Sequence, residues 1–189
     1  MRETMDHDDK DEAGFASLYT GAGTGGWEQA GPGSFQEVGG ELVAVGGMGL
    51  LWYAAREYAD FTLRLDWLAT KREDNSGVFV RFPDPRGDPW AAVHNGYEIQ
   101  IHDASTGEQA TGAIYNFQAP TALASRPPGE WNALEITAVG RRYTVVLNGV
   151  VVNHFESTDP ARGLTGHIGI QNHDDDSPVR FRDIRIKEL

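Results

Sequence analysis

The chain has 189 residues, 40% of them hydrophobic, which is enough for one domain with a buried core and too few for two ordinary domains. Its formal net charge of −12 argues against the basic surfaces through which proteins bind nucleic acids or anionic membranes. The absence of cysteine excludes disulfides, thiolate metal sites and cysteine nucleophiles, and leaves the cellular compartment open.

The N-terminal stretch 1–13 is polar and acidic and has no apolar run of seven or more residues. It therefore resembles neither a signal peptide nor a membrane anchor, and its composition predicts a disordered lead-in to a single domain at 14–189. We expect a cytoplasmic protein if Met1 is the natural start, and an exported one if a signal has been trimmed away.

From residue 14 onward, short runs of alternating polar and apolar residues are separated by Gly, Pro, Asn and Asp, and no stretch has helical periodicity. Ten of these runs are predicted strands: 35–38, 41–45, 61–68, 77–82, 96–102, 131–139, 143–147, 150–155, 166–172 and 179–186. Their number and spacing predict an all-β sandwich or barrel. The predicted core comprises Leu63, Leu65, Trp67, Ile99, Ile101, Ile136, Val145, Ile168 and Ile170.

Two local features refine this prediction. Asn148 and Gly149 lie between β-branched runs and fit the two positive-φ positions of a type I′ turn, so 143–152 is predicted to be a hairpin. In the last strand the apolar phase changes between Phe181 and Ile184, which predicts a bulge near Arg182 and Asp183.

Three long loops at 21–33, 83–95 and 118–129 could surround a binding site.

A set of short motifs runs in order along nearly the whole chain after residue 14. They are GFASLYTG (14–21), GW (26–27), YADFTL (58–63), NSGVFVR (75–81), GYEIQIHD (96–103), TGAIY (111–115), GEWN (129–132), LNG (147–149), GHIGIQ (166–171) and FRDIRI (181–186). In combination they resemble the 3-keto-disaccharide hydrolase family. The resemblance implies a concanavalin A-like jelly roll of two antiparallel sheets with the ligand on the concave sheet. It also implies a substrate class, glycosides oxidised to a ketone at C3.

Alternate residues of a strand point to the same face of its sheet, and this rule identifies candidate residues for the expected ligand site. Glu98, Gln100 and His102 share the strand face opposite Ile99 and Ile101. The same rule places Asn75 and Arg81 on one face of the preceding strand, and Gln171 and His173 on one face of the penultimate strand. With Tyr115, these side chains are predicted to converge on one pocket. A solvent-facing polar stripe and an Arg81–Glu98 salt bridge are the structural alternatives.

The implied substrate determines the roles that these residues would have. A ketone at C3 acidifies the C2 proton, so a base can remove it, the enolate can expel the C1 oxygen, and water can then add. Glu98 or His173 fits the base, Arg81 or a bound cation fits the enolate stabiliser, and Tyr115 or His102 fits the proton donor. Gln100, Gln171 and Asn75 are expected to bind the sugar.

Two alternative functions remain open, and so does the binding of a cation. The domain could be a non-catalytic carbohydrate-binding module, or a two-carboxylate glycosidase that pairs Glu98 with Asp103 or Glu130. No cofactor is required by the mechanism above. Calcium or another divalent cation could still bind the acidic run Asp174, Asp175 and Asp176, although such a run is more often a solvated turn.

Overall fold

The computed structural model describes residues 13–189, and these form two stacked antiparallel β-sheets. The predicted lead-in at 1–13 therefore lies almost entirely outside the described residues. The thirteen strands are β1 Ala16–Tyr19, β2 Trp27–Ala30, β3 Ser34–Val38, β4 Glu41–Val45, β5 Gly49–Tyr53, β6 Phe61–Leu68, β7 Ser76–Phe82, β8 Tyr97–Ile101, β9 Asn132–Val139, β10 Arg142–Leu147, β11 Val150–Glu156, β12 His167–Asn172 and β13 Arg180–Glu188. Helix is confined to α1 (Ala91–Asn95) and a single 3₁₀ turn at Gly107–Gln109.

The larger sheet has the strand order β11-β10-β9-β6-β13-β4-β3, with β1 also paired to β13. The smaller sheet has the order β2-β5-β12-β7-β8. Strands distant in sequence are neighbours in both sheets, as in a jelly roll. All nine predicted core residues pack between the sheets, and none of them is more than 3% exposed. The predicted all-β, two-sheet fold is therefore confirmed.

The alternating sequence pattern explains why the sheets stack as they do. Strand β6 alternates strictly between buried and half-buried residues, so its apolar face covers the core and its polar face looks outward. The predicted turn is present, with φ of 51° at Asn148 and 81° at Gly149. The predicted bulge is present as well, because the register of β13 against β6 shifts between Arg182 and Arg185, and Asp183 has a φ of 51°.

Strands β1, β2 and β5 and helix α1 lie in stretches for which no strand or helix is predicted. β5 escapes the alternation rule because it is covered on both faces: Leu51 packs in the main core, whereas Leu50 and Trp52 pack in a second apolar cluster on the opposite face. Helix α1 is a single turn, too short to produce a helical period in the sequence. Within residues 13–189 no helix is long and apolar enough to cross a membrane.

Candidate active site

A cavity of about 500 Å³ lies on the outer face of the five-stranded sheet. Six of the eight predicted site residues line it, namely Asn75, Glu98, Gln100, Tyr115, Gln171 and His173. They come from the segment before β7, from β8, from the loop after β8 and from the end of β12. Strand alternation brings them together because the opposite faces of β8 and β12 are committed to the core.

Glu98 occupies the floor of this cavity and is only 4% exposed. Its carboxyl group lies directly over Gly77 of the neighbouring strand, where a Cβ atom would come within 2.2 Å of Glu98 Oε1. Only glycine leaves room for the carboxyl group at this position. With the Gln100 amide oriented so that its nitrogen faces these two acceptors, it donates hydrogen bonds to Glu98 Oε1 and to the Ser76 carbonyl, both at 3.1 Å.

Burial is the physical reason for the unusual ionisation of Glu98. It raises the pKa of the Glu98 carboxyl from 4.5 to about 8, because the charged form is poorly solvated in the cavity floor. Glu98 is therefore mostly protonated at neutral pH. It can donate a hydrogen bond or a proton to a ligand atom, a role that an exposed glutamate cannot fill.

His173 follows β12 and forms a pair with Asp174, with 2.7 Å between His173 Nδ1 and Asp174 Oδ2. Although partial burial opposes it, hydrogen bonds from His173, the Asp176 amide and the Ser177 hydroxyl hold the pKa of Asp174 below its usual value. When Nδ1 of His173 donates this hydrogen bond to the Asp174 carboxylate, Nε2 is the nitrogen that is free to accept a proton. The pair thus has the arrangement of an oriented general base.

Two side-chain amide oxygens of cavity-lining residues have no hydrogen-bond partner among residues 13–189. They are Oδ1 of Asn75 and Oε1 of Gln171, both buried. A buried acceptor without a partner costs free energy. Asn75 is also fixed to the His173 loop, because its backbone N–H donates to Ser177 Oγ at 2.9 Å.

Several lining residues were not predicted from the sequence, and they form the rim. Trp90 is 51% exposed and stacks on His94 with ring centroids 6.5 Å apart. Phe117 is 39% exposed, and Cζ of Arg162 lies 4.8 Å from the centroid of its ring. The remaining lining residues are Val93 and Asn116. Trp90 lies in the long loop 83–95, which the sequence had marked as a possible border of a binding site, whereas Arg162 lies in none of the three predicted loops.

Arg81 is a correction to the predicted site. It lies outside the cavity, because Val80 pairs with Ile168 and Phe82 pairs with His167, so that Arg81 is the extra residue of a bulge with a φ of 55°. The bulge turns its side chain away from the cavity face.

In that position the Arg81 guanidinium is 1% exposed and donates to the carbonyl oxygens of Ala59 and Gly140 and to Asp60 Oδ1 at 3.0 Å. It also donates to the Tyr143 hydroxyl at 3.1 Å. Arg81 therefore joins strands and loops, and neither the predicted enolate-stabilising role nor the alternative pair with Glu98 fits the structure.

His102 is likewise outside this cavity, in a neighbouring one, with its Nδ1 2.6 Å from the hydroxyl oxygen of Ser105. Burial lowers the pKa of His102, and the nearby His173 lowers it further. The strand pattern placed His102 on the correct face. However, β8 ends at Ile101, so the residue lies one step beyond the cavity that contains Glu98 and Gln100.

The acidic run after His173 does not form a metal-binding cluster. Asp174 is engaged by His173, Asp176 pairs with Lys71 at 2.6 Å, and Asp175 is directed toward Gly47. Across residues 13–189, no group of three or more His, Asp or Glu side chains is arranged to hold a metal ion. The three aspartates thus have separate contacts and do not converge on one point.

The chain is similar to several solved structures. A candidate glycosyl hydrolase from Parabacteroides distasonis ATCC 8503 is 21% identical, with a TM-score of 0.82 over 100% of this chain and 98% of that one. A second from the same organism is 27% identical, with a TM-score of 0.79 over 93% and 99%. The carbohydrate-binding module CBM66 from Bacillus subtilis is 14% identical, with a TM-score of 0.61 over 86% and 96%, and shares the fold.

No curated protein matches the chain significantly. The family described as the 3-keto-alpha-glucoside-1,2-lyase-like domain matches residues 14–187, which is almost the entire described structure. The match agrees with the resemblance carried by the sequence motifs. The chain belongs to the family of 3-keto-α-glucoside-1,2-lyase-like (3-keto-disaccharide hydrolase) domains.

Proposed function

We propose that the cavity binds a glycoside oxidised to a ketone at C3 and cleaves its glycosidic bond by elimination, followed by addition of water. The observation that carries this proposal is the pairing, in one cavity, of a buried protonated carboxyl group, Glu98, with an aspartate-oriented histidine, His173. The elimination needs one base and one hydrogen-bond donor, and these two groups supply them.

His173 Nε2 removes the C2 proton, which the neighbouring ketone has made acidic. The electron pair of the C2–H bond moves toward the ketone, and the Glu98 carboxyl group donates a hydrogen bond to the oxygen that becomes negative. The pair then returns to form the C1=C2 double bond as the C1–O bond breaks. Tyr115 lines the same cavity and is the proposed proton donor for the departing oxygen.

The remaining lining groups bind the ring. The side chains of Asn75 and Gln171 line the cavity and hydrogen-bond to sugar hydroxyls. The exposed ring of Trp90 offers a flat apolar surface to the C–H face of a pyranose. Arg162 adds a positive charge to the wall, held by an ion pair to Asp159 at 3.3 Å.

A two-carboxylate glycosidase receives less support from the geometry. Neither Asp103 nor Glu130 lines the cavity with Glu98. Asp103 faces the neighbouring cavity, where its Oδ1 accepts hydrogen bonds from Thr111 and Ser125. Among residues 13–189, no second carboxylate lines the cavity that contains Glu98, although both forms of that mechanism need a pair of carboxyl groups flanking the bond.

A non-catalytic carbohydrate-binding module is the second candidate function, and the aromatic rim favours it. Trp90 and Phe117 are both substantially exposed beside the cavity, as in binding sites that stack sugar rings. The similar CBM66 domain is a carbohydrate-binding module by name. Such a module would bind oxidised and unoxidised sugars and return both unchanged.

Parallel incubations with trehalose and 3-keto-trehalose, followed by mass spectrometry and NMR, test the proposal. We expect glucose and 3-keto-glucose, preceded by an unsaturated 2-hydroxy-3-keto intermediate, from the oxidised substrate alone. Cleavage of plain trehalose would instead indicate a direct glycosidase, and binding without product would indicate a module. Asp174→Asn should lower kcat by about 10-fold or more with little effect on KM, because it disorients the base without touching substrate.

A further inference from the structure

The neighbouring cavity, about 300 Å³ in volume, has a lining that the proposed mechanism does not use. Arg72 and Arg126 contribute to its wall, together with His102 and Asp103. Two arginines in one cavity are unexpected in a chain whose formal net charge is −12. Their positive charges suit a ligand that carries a negative charge.

Most arginines of the structure already have an acidic partner. Of the twelve arginines in residues 13–189, eight form an ion pair, which leaves Arg72, Arg86, Arg126 and Arg141. Two of these four line the same cavity. Neither of these two arginines therefore forms an ion pair within the part of the chain that the structure describes, although acidic residues are abundant.

Backbone carbonyl groups hold both guanidinium groups in place. Arg72 Nη2 donates to the carbonyl oxygen of Asp103 at 2.7 Å, and Arg126 Nη1 donates to that of Trp131 at 3.0 Å. The Asp103 carboxylate contributes one negative charge, and its Oδ1 is occupied by the hydroxyls of Thr111 and Ser125. Two positive charges against one leave an excess of +1, with donors whose planar geometry suits carboxylate and phosphate oxygens.

The two cavities adjoin along one strand. Glu98 and Gln100 face the first cavity, and His102, the next residue of that face, borders the second. His102 and His173 are close enough for the charge of one to lower the pKa of the other. Alternate residues of a strand are about 7 Å apart, so the second cavity begins roughly one sugar ring beyond Gln100.

We propose that the second cavity is the subsite for the leaving group, and that it selects leaving groups bearing a carboxylate or phosphate through Arg72 and Arg126. This proposal rests on the function proposed above for the first cavity. It predicts that, among 3-keto-glycosides, those with an anionic aglycone bind more tightly than those with a neutral one. The binding of the anionic part does not depend on catalysis, so the two proposals can fail separately.

Titration calorimetry with D-glucuronate, glucose 6-phosphate and glucose tests the subsite without any turnover. We expect at least one of the anions to bind about 10-fold or more tightly than glucose at low salt, the usual scale for a charged hydrogen bond. The preference should disappear in the double variant Arg72→Gln/Arg126→Gln. It should persist in the control Arg86→Gln/Arg141→Gln, which removes the same charge from the other unpaired arginines.

The anion that binds shows which kind of leaving group the second cavity prefers. Binding of glucuronate alone indicates acidic sugars, and binding of glucose 6-phosphate alone indicates phosphorylated sugars. Equal binding of all three probes would overturn the proposal, as would an anion preference that survives Arg72→Gln/Arg126→Gln. If that variant folds poorly, the wild type still decides, because anion binding must weaken as NaCl rises while glucose binding does not. If the wild type binds the anions but does not turn over any 3-keto-glycoside, only the proposed function is refuted.

Discussion

The buried carboxyl group of Glu98 makes the stability of this domain depend on pH. In the unfolded chain the pKa of Glu98 is near its ordinary value of 4.5, whereas in the folded state the carboxyl group stays protonated up to about pH 8. Between these values unfolding releases a proton, so the free energy of unfolding falls by about 1.36 kcal/mol for each pH unit. The stabilisation is complete below pH 4.5 and is lost as the pH rises through about 8.

Between pH 4.5 and about 8 the loss of unfolding free energy adds up to roughly 5 kcal/mol. Relaxation of the cavity around the charged carboxylate would reduce this loss to a few kcal/mol. We therefore expect urea unfolding of wild type to show a steep loss of free energy between pH 5 and 9, and Glu98→Gln to lack that part of the slope. Glu130→Gln, a change at an exposed glutamate, serves as the control and should follow wild type. Identical pH profiles for wild type and Glu98→Gln would refute the assignment of a buried, protonated carboxyl.

Three further predictions test other parts of the structure. Gly77→Ala should lower kcat by about 100-fold, because its Cβ would displace the Glu98 carboxyl, whereas Gly25→Ala, with open space around it, should leave activity unchanged. Arg81→Leu should cost roughly 3 kcal/mol of unfolding free energy but leave sugar binding per folded molecule intact, and lost binding in folded protein would contradict its place outside the cavity. Gly149→Val should destabilise the domain by about 1 kcal/mol or more in thermal melts, since a β-branched residue resists a φ of 81°, and an unchanged Tm would count against the turn.

Strand parity was a sound guide wherever a strand stays regular. It placed Glu98 and Gln100 on one face because β8 pairs without interruption against β7, and it placed Gln171 on the cavity face of β12. These side chains come from separate segments, yet their common face follows from alternation alone. The core residues could be predicted for the same reason.

The site residues that were predicted wrongly or missed have local structural causes. A single bulge at Arg81 inverted the parity of one residue, and the sequence has no feature that distinguishes a left-handed φ at an arginine from an extended one. Trp90 and Arg162 reach the cavity from a one-turn helix and a loop, where no periodicity applies. The ionisation of Glu98 depends on complete burial, which only the three-dimensional packing shows.

In the proposed mechanism, Glu98 and His173 act together to remove the C2 proton of a 3-keto sugar. Its most direct test is the NMR time course of methyl 3-keto-α-D-glucopyranoside with wild type, Glu98→Gln and His173→Ala. We predict methanol release through the unsaturated 2-hydroxy-3-keto intermediate in wild type, and rates lower by about 100-fold or more in both folded variants. No methanol release from wild type, or full activity in both variants, would contradict the claim.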